Sequence, residues 1–390
     1  MFFRYDAQQA SPRERLRMTE SRTITDIRLA NPFTPRFGEV PAYLAGRQYI
    51  IDDMVEAFDL GGSNPNLCSL FVGARGTGKT ALLTYLGSQA EQLGWITANV
   101  TASAGMLEDI LQRVHEGARH LISPTTKKDL SGFTIAPIGG MAWDNERPAA
   151  ANWRSRMNEA FAQLEAESVG ILITVDEVNP SLDEMIQLVT TYQHFVREGK
   201  KAALLMAGLP HNASSLLSGK STSFLRRAMR HDLGAIPRYE VAEAFRLTVE
   251  DGGRAISDEA LSTAVDAIDG FPFMFQLVGY RSWNAAGSGK TLEIDHVRRG
   301  IQLAQEELED RVLNATYSEL SKADIAFLRA MAIDEKQTSR ADLMERLKKS
   351  SSHISTYKKR LLEAGVIEEP QPGTFRFSLP GFREFIKERA

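Results

Sequence analysis

The chain has 390 residues, which exceeds one ordinary core and predicts two or three domains. Hydrophobic residues make up 43% and charged residues 25%, a globular balance that excludes fibrous and disordered classes. The net charge of -4 excludes a surface basic throughout, and the single cysteine, Cys68, excludes an internal disulfide framework and predicts a reducing, cytoplasmic location. No apolar run approaches the ~20 residues of a membrane span, and the N-terminus lacks the apolar core of a secretory signal, so no membrane association is expected.

Residues 1–30 are polar, arginine-bearing and aperiodic, and read as an N-terminal arm. The spacing of Ile50, Ile51, Met54, Val55 and Phe58 predicts a helix. Leu67 to Val72 forms an apolar strand, followed by Gly73-Ala74-Arg75-Gly76-Thr77-Gly78-Lys79-Thr80 and a helix opening at Ala81. A second strand is expected over 94–100 and a helix over 106–120. Two short apolar runs, 132–136 and 138–143, flank Pro137 and suggest a small inserted hairpin. A helix over 151–167 leads to an apolar strand from Gly170 that ends in Asp176-Glu177. Another helix, 185–198, precedes the strand Ala202 to Gly208. Such alternation implies a parallel sheet covered on both faces, while beyond Pro237 the pattern is almost entirely helical.

The Gly73–Thr80 segment fits G-x-x-x-x-G-K-[ST], and its place between a strand and a helix is the one its chemistry requires. Glycines let the backbone curl around an anion with its amides inward, and the helix adds the positive end of its dipole. Gly73, Gly76, Thr77, Gly78, Lys79, Thr80 and Ala81 are therefore the candidate phosphate-binding residues, against the alternative of a chance glycine-rich turn. Lys79 would reach the outer phosphates and Thr80 would hold magnesium. Asp176 suits the role of second metal ligand and Glu177 that of base or water-positioner; the bland alternative is a strand end with two solvated acids. The seven histidines are scattered and no Cys/His spacing suggests zinc, so magnesium with nucleotide is the one cofactor expected.

In Gly73–Thr80 and Ile171–Glu177 the chain resembles the AAA+ ATPases, in particular the branch of origin-recognition proteins and helicase loaders and the related signal-transduction ATPases. The resemblance spans about Asn31 to Ala390. It implies an α/β fold: a P-loop parallel-sheet core over 31–236, a helical lid over 237–312 and a C-terminal winged-helix domain over 313–390. It further implies ATP as ligand, Arg47 against the adenine, and Asn212 as the nearest candidate for a nucleotide-sensing polar residue. Arg226, in Ser223–Arg230, matches the arginine finger that one subunit points at its neighbour's terminal phosphate; a solvated basic helix end is the alternative. One departure is plain. Gly270-Phe271-Pro272-Phe273 resembles the lid turn that carries a second sensing arginine in many AAA+ proteins, yet Phe273 stands at that position.

From Ser318 to the end the chain carries 14 Lys and Arg against 11 Asp and Glu. Helices are expected over 325–331, 340–348 and 352–364, with Gly365 stopping the third and strands at 366–370 and 374–378 turning around Gly373. This order resembles a winged helix. No acid occurs from Arg346 to Leu362, and Lys349, Ser352, His353, Thr356, Lys358, Lys359 and Arg376 are the candidate nucleic-acid contacts. The same module could instead serve protein contact. The expected function is an ATP-binding and ATP-hydrolysing switch that couples nucleotide state to double-stranded DNA, with nucleotide-dependent self-association through Arg226. The alternative is a signalling or scaffold ATPase whose winged helix contacts protein. A P-loop kinase is disfavoured by the adjacent Asp176-Glu177 pair and the helical lid.

Overall fold

The computed structural model describes residues 30–36, 38–121 and 149–389. Residues 1–29 of the expected arm and the expected hairpin at 132–143 lie outside the described residues. The first helix, α1 (Gln48–Leu60), leads to strand β1 (Cys68–Val72) and helix α2 (Lys79–Gln92). Then follow β2 (Ile96–Thr101), α3 (Met106–Leu121), α4 (Ala149–Leu164), β3 (Ile171–Asp176), α5 (Asp183–Arg197), β4 (Ala202–Gly208), α6 (Pro210–Ser218) and β5 (Met229–Asp232). The strands form one sheet in the order β2-β3-β4-β1-β5, and every neighbouring pair is parallel.

The period of two along these strands builds a core on each face. Leu70, Val72, Ile171, Ile173, Val175, Leu204 and Met206 face α3, α4 and α5, where Ile110, Phe161 and Phe195 complete one apolar cluster. Phe71, Leu172, Ala203, Leu205 and Ala207 face the other side, where Met54, Phe58, Leu82 and Leu86 of α1 and α2 close a second. Because β4 separates β1 from β3, the loops that leave β1 and β3 meet across the end of β4 at the carboxyl edge of the sheet. That edge is where open α/β sheets bind ligands. Burial in β1 also pushes the Cys68 thiol up to about 12, which leaves it protonated and unreactive at neutral pH.

Beyond the sheet come α7 (Arg238–Asp251), α8 (Asp258–Ile268), α9 (Pro272–Ala285) and α10 (Ile294–Leu308), with the two-residue strands β6 (Ala255–Ile256) and β7 (Thr291–Leu292) paired in parallel. Phe33 fastens the N-terminal segment to this layer, its ring lying 2.1 Å from where a Cβ on Gly279 of α9 would stand. A π-helical turn at Glu309–Leu313 and α11 (Asn314–Ser318) lead to the C-terminal module. There α12 (Lys322–Ala332), β8 (Thr338–Ser339), α13 (Arg340–Leu347), α14 (Ser351–Glu363), β9 (Ile367–Gln371), β10 (Thr374–Phe377) and α15 (Phe382–Glu388) form a helical unit backed by an antiparallel sheet in the order β8-β10-β9. The N-termini of α12 and α13 are capped by Ser321 and Ser339, each paired with an aspartate three residues on.

Two expectations need adjustment. The helix after the phosphate loop starts at Lys79 rather than Ala81, because Gly78, in a left-handed conformation with φ 85°, is its N-cap. The edge strand β5 is unforeseen: its Met-Arg-His-Asp sequence has no apolar alternation, since only one of its sides meets the sheet.

Candidate nucleotide-binding site

The loop from Gly73 to Gly78 turns back over the end of β1. Gly73 has no room for a side chain, since a Cβ there would lie 2.5 Å from Thr77 Oγ1 and 2.8 Å from the Leu233 carbonyl oxygen. Gly76 has φ 77°, a left-handed conformation that side-chain-bearing residues adopt at a cost. Among the described residues the Gly76 and Gly78 amides meet no carbonyl acceptor, and they stand beside the N-terminal end of α2. The Thr77 hydroxyl donates to the Ala74 carbonyl at 2.8 Å, which braces the curl.

Lys79 is 7% exposed, and its ammonium donates to the Gly73 and Ala74 carbonyls at 3.0 and 2.8 Å. Burial draws it below the ordinary lysine range; the Glu177 and Asp176 carboxylates oppose that shift and the Arg75 cation adds to it. It is thus a cation partnered by neutral carbonyls, for which phosphate oxygens would be stronger acceptors. The Thr80 hydroxyl donates to Asp176 Oδ2 at 2.5 Å, uniting the first turn of α2 with the end of β3. Asp176 Oδ1 accepts the Glu177 amide at 2.9 Å, and Glu177 itself is exposed with φ 58°. A left-handed glutamate costs backbone energy that an ordinary strand end would avoid, and such strain concentrates at functional positions. A polar pocket of about 310 Å³ opens beside the pair, lined by Thr80, Thr84, Asn99, Thr101, Arg113 and Asp176 among others.

The donor set fits magnesium with a nucleotide. One hydroxyl and one carboxylate, both oxygen, stand together beside a curl of amides, and magnesium commonly takes one or two protein carboxylates plus substrate phosphates. Ala81 lies in the first turn of α2 with the two residues before it.

The remaining candidates stand on other segments. Arg47 is 7% exposed, with its guanidinium donating to the Gly46 carbonyl at 3.0 Å and to the Gly234 carbonyl at 2.8 Å. Its donors are turned to the segment that runs from β5 into α7, and burial lowers its pKa. Asn212 is half-buried in the first turn of α6. Arg226 sits on an exposed 3-10 turn, Ser223–Arg227, where its Nε donates to the Leu217 carbonyl at 3.2 Å, and it pairs with no acid among the described residues. The Gly270–Phe273 turn lies directly on the phosphate loop. A Cβ on Gly76 would stand 2.8 Å from the Phe271 ring and 3.4 Å from Phe273 Cβ. Replacing Gly76 with alanine is therefore expected to cost about 1–2 kcal/mol from the backbone alone, read as a lower thermal midpoint. An unchanged midpoint would show that the loop and the Gly270–Phe273 turn relax freely.

In the C-terminal module Lys349, Ser352, His353, Thr356 and Lys359 are exposed on and before α14. Ser350 links Ser352 and His353 through its hydroxyl at 2.9 and 2.8 Å, and Thr356 donates to the Ser352 carbonyl. Three of the four candidate cations have acidic partners: Lys358 with Glu369 at 2.8 Å, Lys359 with Glu363 at 3.8 Å, and Arg376 with Glu368. Lys349 forms no ion pair among the described residues. Sequence reasoning missed Arg75, an exposed cation on the lip of the loop; its place within the motif was the available signal.

The whole arrangement matches a solved structure of the Aeropyrum pernix ORC2 protein in ADPNP-ADP complexes, with a TM-score of 0.61 at 16% identity over 93% of this chain and 97% of that one. The fold is the AAA+ fold. The ADP form of the same archaeal protein matches with a TM-score of 0.52 at 15% identity over 91% of this chain and 96% of that one. Cdc6p from Pyrobaculum aerophilum matches with a TM-score of 0.47 at 15% identity over 91% and 97%. Residues 310–386 match a family described as a domain of unknown function, DUF8462, which covers most of the C-terminal module. No curated protein matches the sequence. Among the described residues no helix is long and apolar enough to cross a membrane.

Proposed function

We propose that the protein is a magnesium-dependent ATP-binding and ATP-hydrolysing AAA+ switch whose C-terminal module is a winged helix that engages double-stranded DNA. The observation that carries the catalytic half is the Thr80–Asp176 hydrogen bond beside a glycine curl that already holds a buried ammonium. In this reading the amides of Gly76 and Gly78 and the Lys79 ammonium hold the phosphates, Thr80 and Asp176 hold magnesium, and Glu177 orients water and accepts its proton. Magnesium would neutralise charge gathering on the phosphate oxygens. Arg226, exposed and without an acid partner among the described residues, is available to a neighbouring subunit, so that ATP would promote self-association. The lone thiol is compatible with a cytoplasmic site of action. Turnover of ATP to ADP with and without duplex DNA tests the reading; no turnover in either condition refutes its enzymatic half.

The basic, hydroxyl-rich approach to α14 supports DNA as the partner. A specific observation favours the second reading, a winged helix for protein contact: Lys358, Lys359 and Arg376 are already matched by glutamates. Lys349 and its neighbour Lys348 are both exposed and form no ion pair among the described residues; with those two facing phosphates, raising salt from ~50 to ~200 mM should weaken DNA binding about tenfold. A flat response in that titration, or no binding, decides for protein contact.

A further inference from the structure

The carboxyl edge of the sheet carries a contact that the nucleotide reading leaves unused. Arg75 projects from the phosphate loop and forms no ion pair or hydrogen bond among the described residues. Its Nε lies 3.6 Å from where a Cβ on Gly365 would stand, and Leu209 Cδ1 lies 3.1 Å from the same point. Gly365 follows directly on the C-cap of α14 and has φ 67°, so the guanidinium is set against the negative end of that helix. Next to it His211 Nε2 stands 3.7 Å from Glu363 Oε1 on the last turn of α14. The topology explains why these residues converge. Arg75 follows β1, Leu209 and His211 follow β4, and β1 and β4 are hydrogen-bonded neighbours.

A second observation bears on what Arg75 is for. The Gly270–Phe273 turn sets the Phe271 ring and the Phe273 Cβ against Gly76 of the loop, so the groups nearest Gly76 on that side are apolar. The cations on the loop itself are Lys79 and Arg75, and they lie close enough for each to sense the other's charge. A triphosphate entering the loop would place several negative charges within reach of a guanidinium now facing only partial charges at a helix end. Charge-assisted bonds to phosphate are the stronger attraction.

Building on the nucleotide-binding reading above, we propose that Arg75 is a second phosphate-binding cation and that it divides its time between the bound nucleotide and the C-terminal end of α14. Without nucleotide it helps pin the C-terminal module to the sheet edge. With a triphosphate it swings to the phosphates, leaving Leu209 and His211 as the remaining grip. The state of the loop is thereby passed to the helix that carries the exposed serines and lysines.

Hydrogen exchange over residues 359–366, followed in the full chain with and without ATP and magnesium, tests this beside calorimetry of ATP binding. In the wild type, ATP should speed exchange there about two- to fivefold, the loss expected of a cation at a helix end. The variant R75A should show the faster exchange without nucleotide, gain little more from ATP and bind ATP more weakly. Gly365→Val, which crowds Leu209 and the Arg75 side chain but keeps the guanidinium, should also speed exchange without nucleotide while keeping ATP affinity. If R75A binds ATP as tightly as the wild type and exchanges as the wild type does in both states, the inference is overturned while the nucleotide reading stands. If the wild type takes up no ATP, the nucleotide reading itself falls.

Discussion

Lys79→Ala is expected to weaken ATP binding roughly 10- to 100-fold, the range of one or two charge-assisted hydrogen bonds, and to remove turnover. The reason lies in the environment of the ammonium. Lys79 is buried against the Gly73 and Ala74 carbonyls, with Asp176 and Glu177 near enough to oppose the effect of burial on its pKa. Alanine leaves those carbonyls facing an anion with no cation between them, so the loop would change from attractive to repulsive at its base. Calorimetry with ATP and magnesium reads the result directly. Affinity equal to the wild type would mean that the ligand, if bound, is bound elsewhere. A melt in the absence of ligand guards against misfolding, because the shorter side chain removes the two bonds that help shape the loop.

Glu177→Gln is expected to leave ATP affinity within a few-fold of the wild type and to slow hydrolysis by about 10²- to 10⁴-fold, the usual contribution of a positioned base. Asp176 and Glu177 are adjacent yet differ in setting. Asp176 is engaged by the Thr80 hydroxyl and by the Glu177 amide, whereas Glu177 is exposed and held left-handed at φ 58°. In the proposed function the first would belong to the pair that holds magnesium and the second would accept a proton. Glutamine keeps the size of the side chain and removes the basic oxygen, so single-turnover kinetics should show binding without product. Unchanged turnover would remove Glu177 from the chemistry, and lost binding would move it to the ligand-holding group.

Gly73 to Thr80 could be read in the sequence because the backbone geometry of an anion cradle restricts residue types at fixed spacing. The strand ending in Asp176 was readable for a similar reason, since a strand buried on both faces must be continuously apolar. Other features depend on partners remote in the chain. The Arg47 guanidinium donates to the carbonyl of Gly234, and nothing near Arg47 announces that bond. The stretch from Arg346 to Leu362 lacks acids, yet the hairpin of β9 and β10 brings Glu368 and Glu369 back to Arg376 and Lys358. Charge counted along the chain therefore overstated the charge presented at the surface. The edge strand β5 hid for a different reason, because a strand with one partner needs little apolar pattern.

The Phe271 ring resting on Gly76 has a consequence for how long an occupant would stay. A closure made by hydrophobic burial carries no charge with which to count phosphates, and it loosens on cooling. Diphosphate and triphosphate would be kept under one cover with equal firmness. Telling them apart would then fall to the floor of the chamber, and the dwell of a spent molecule would be timed by one aromatic ring lifting off glycine.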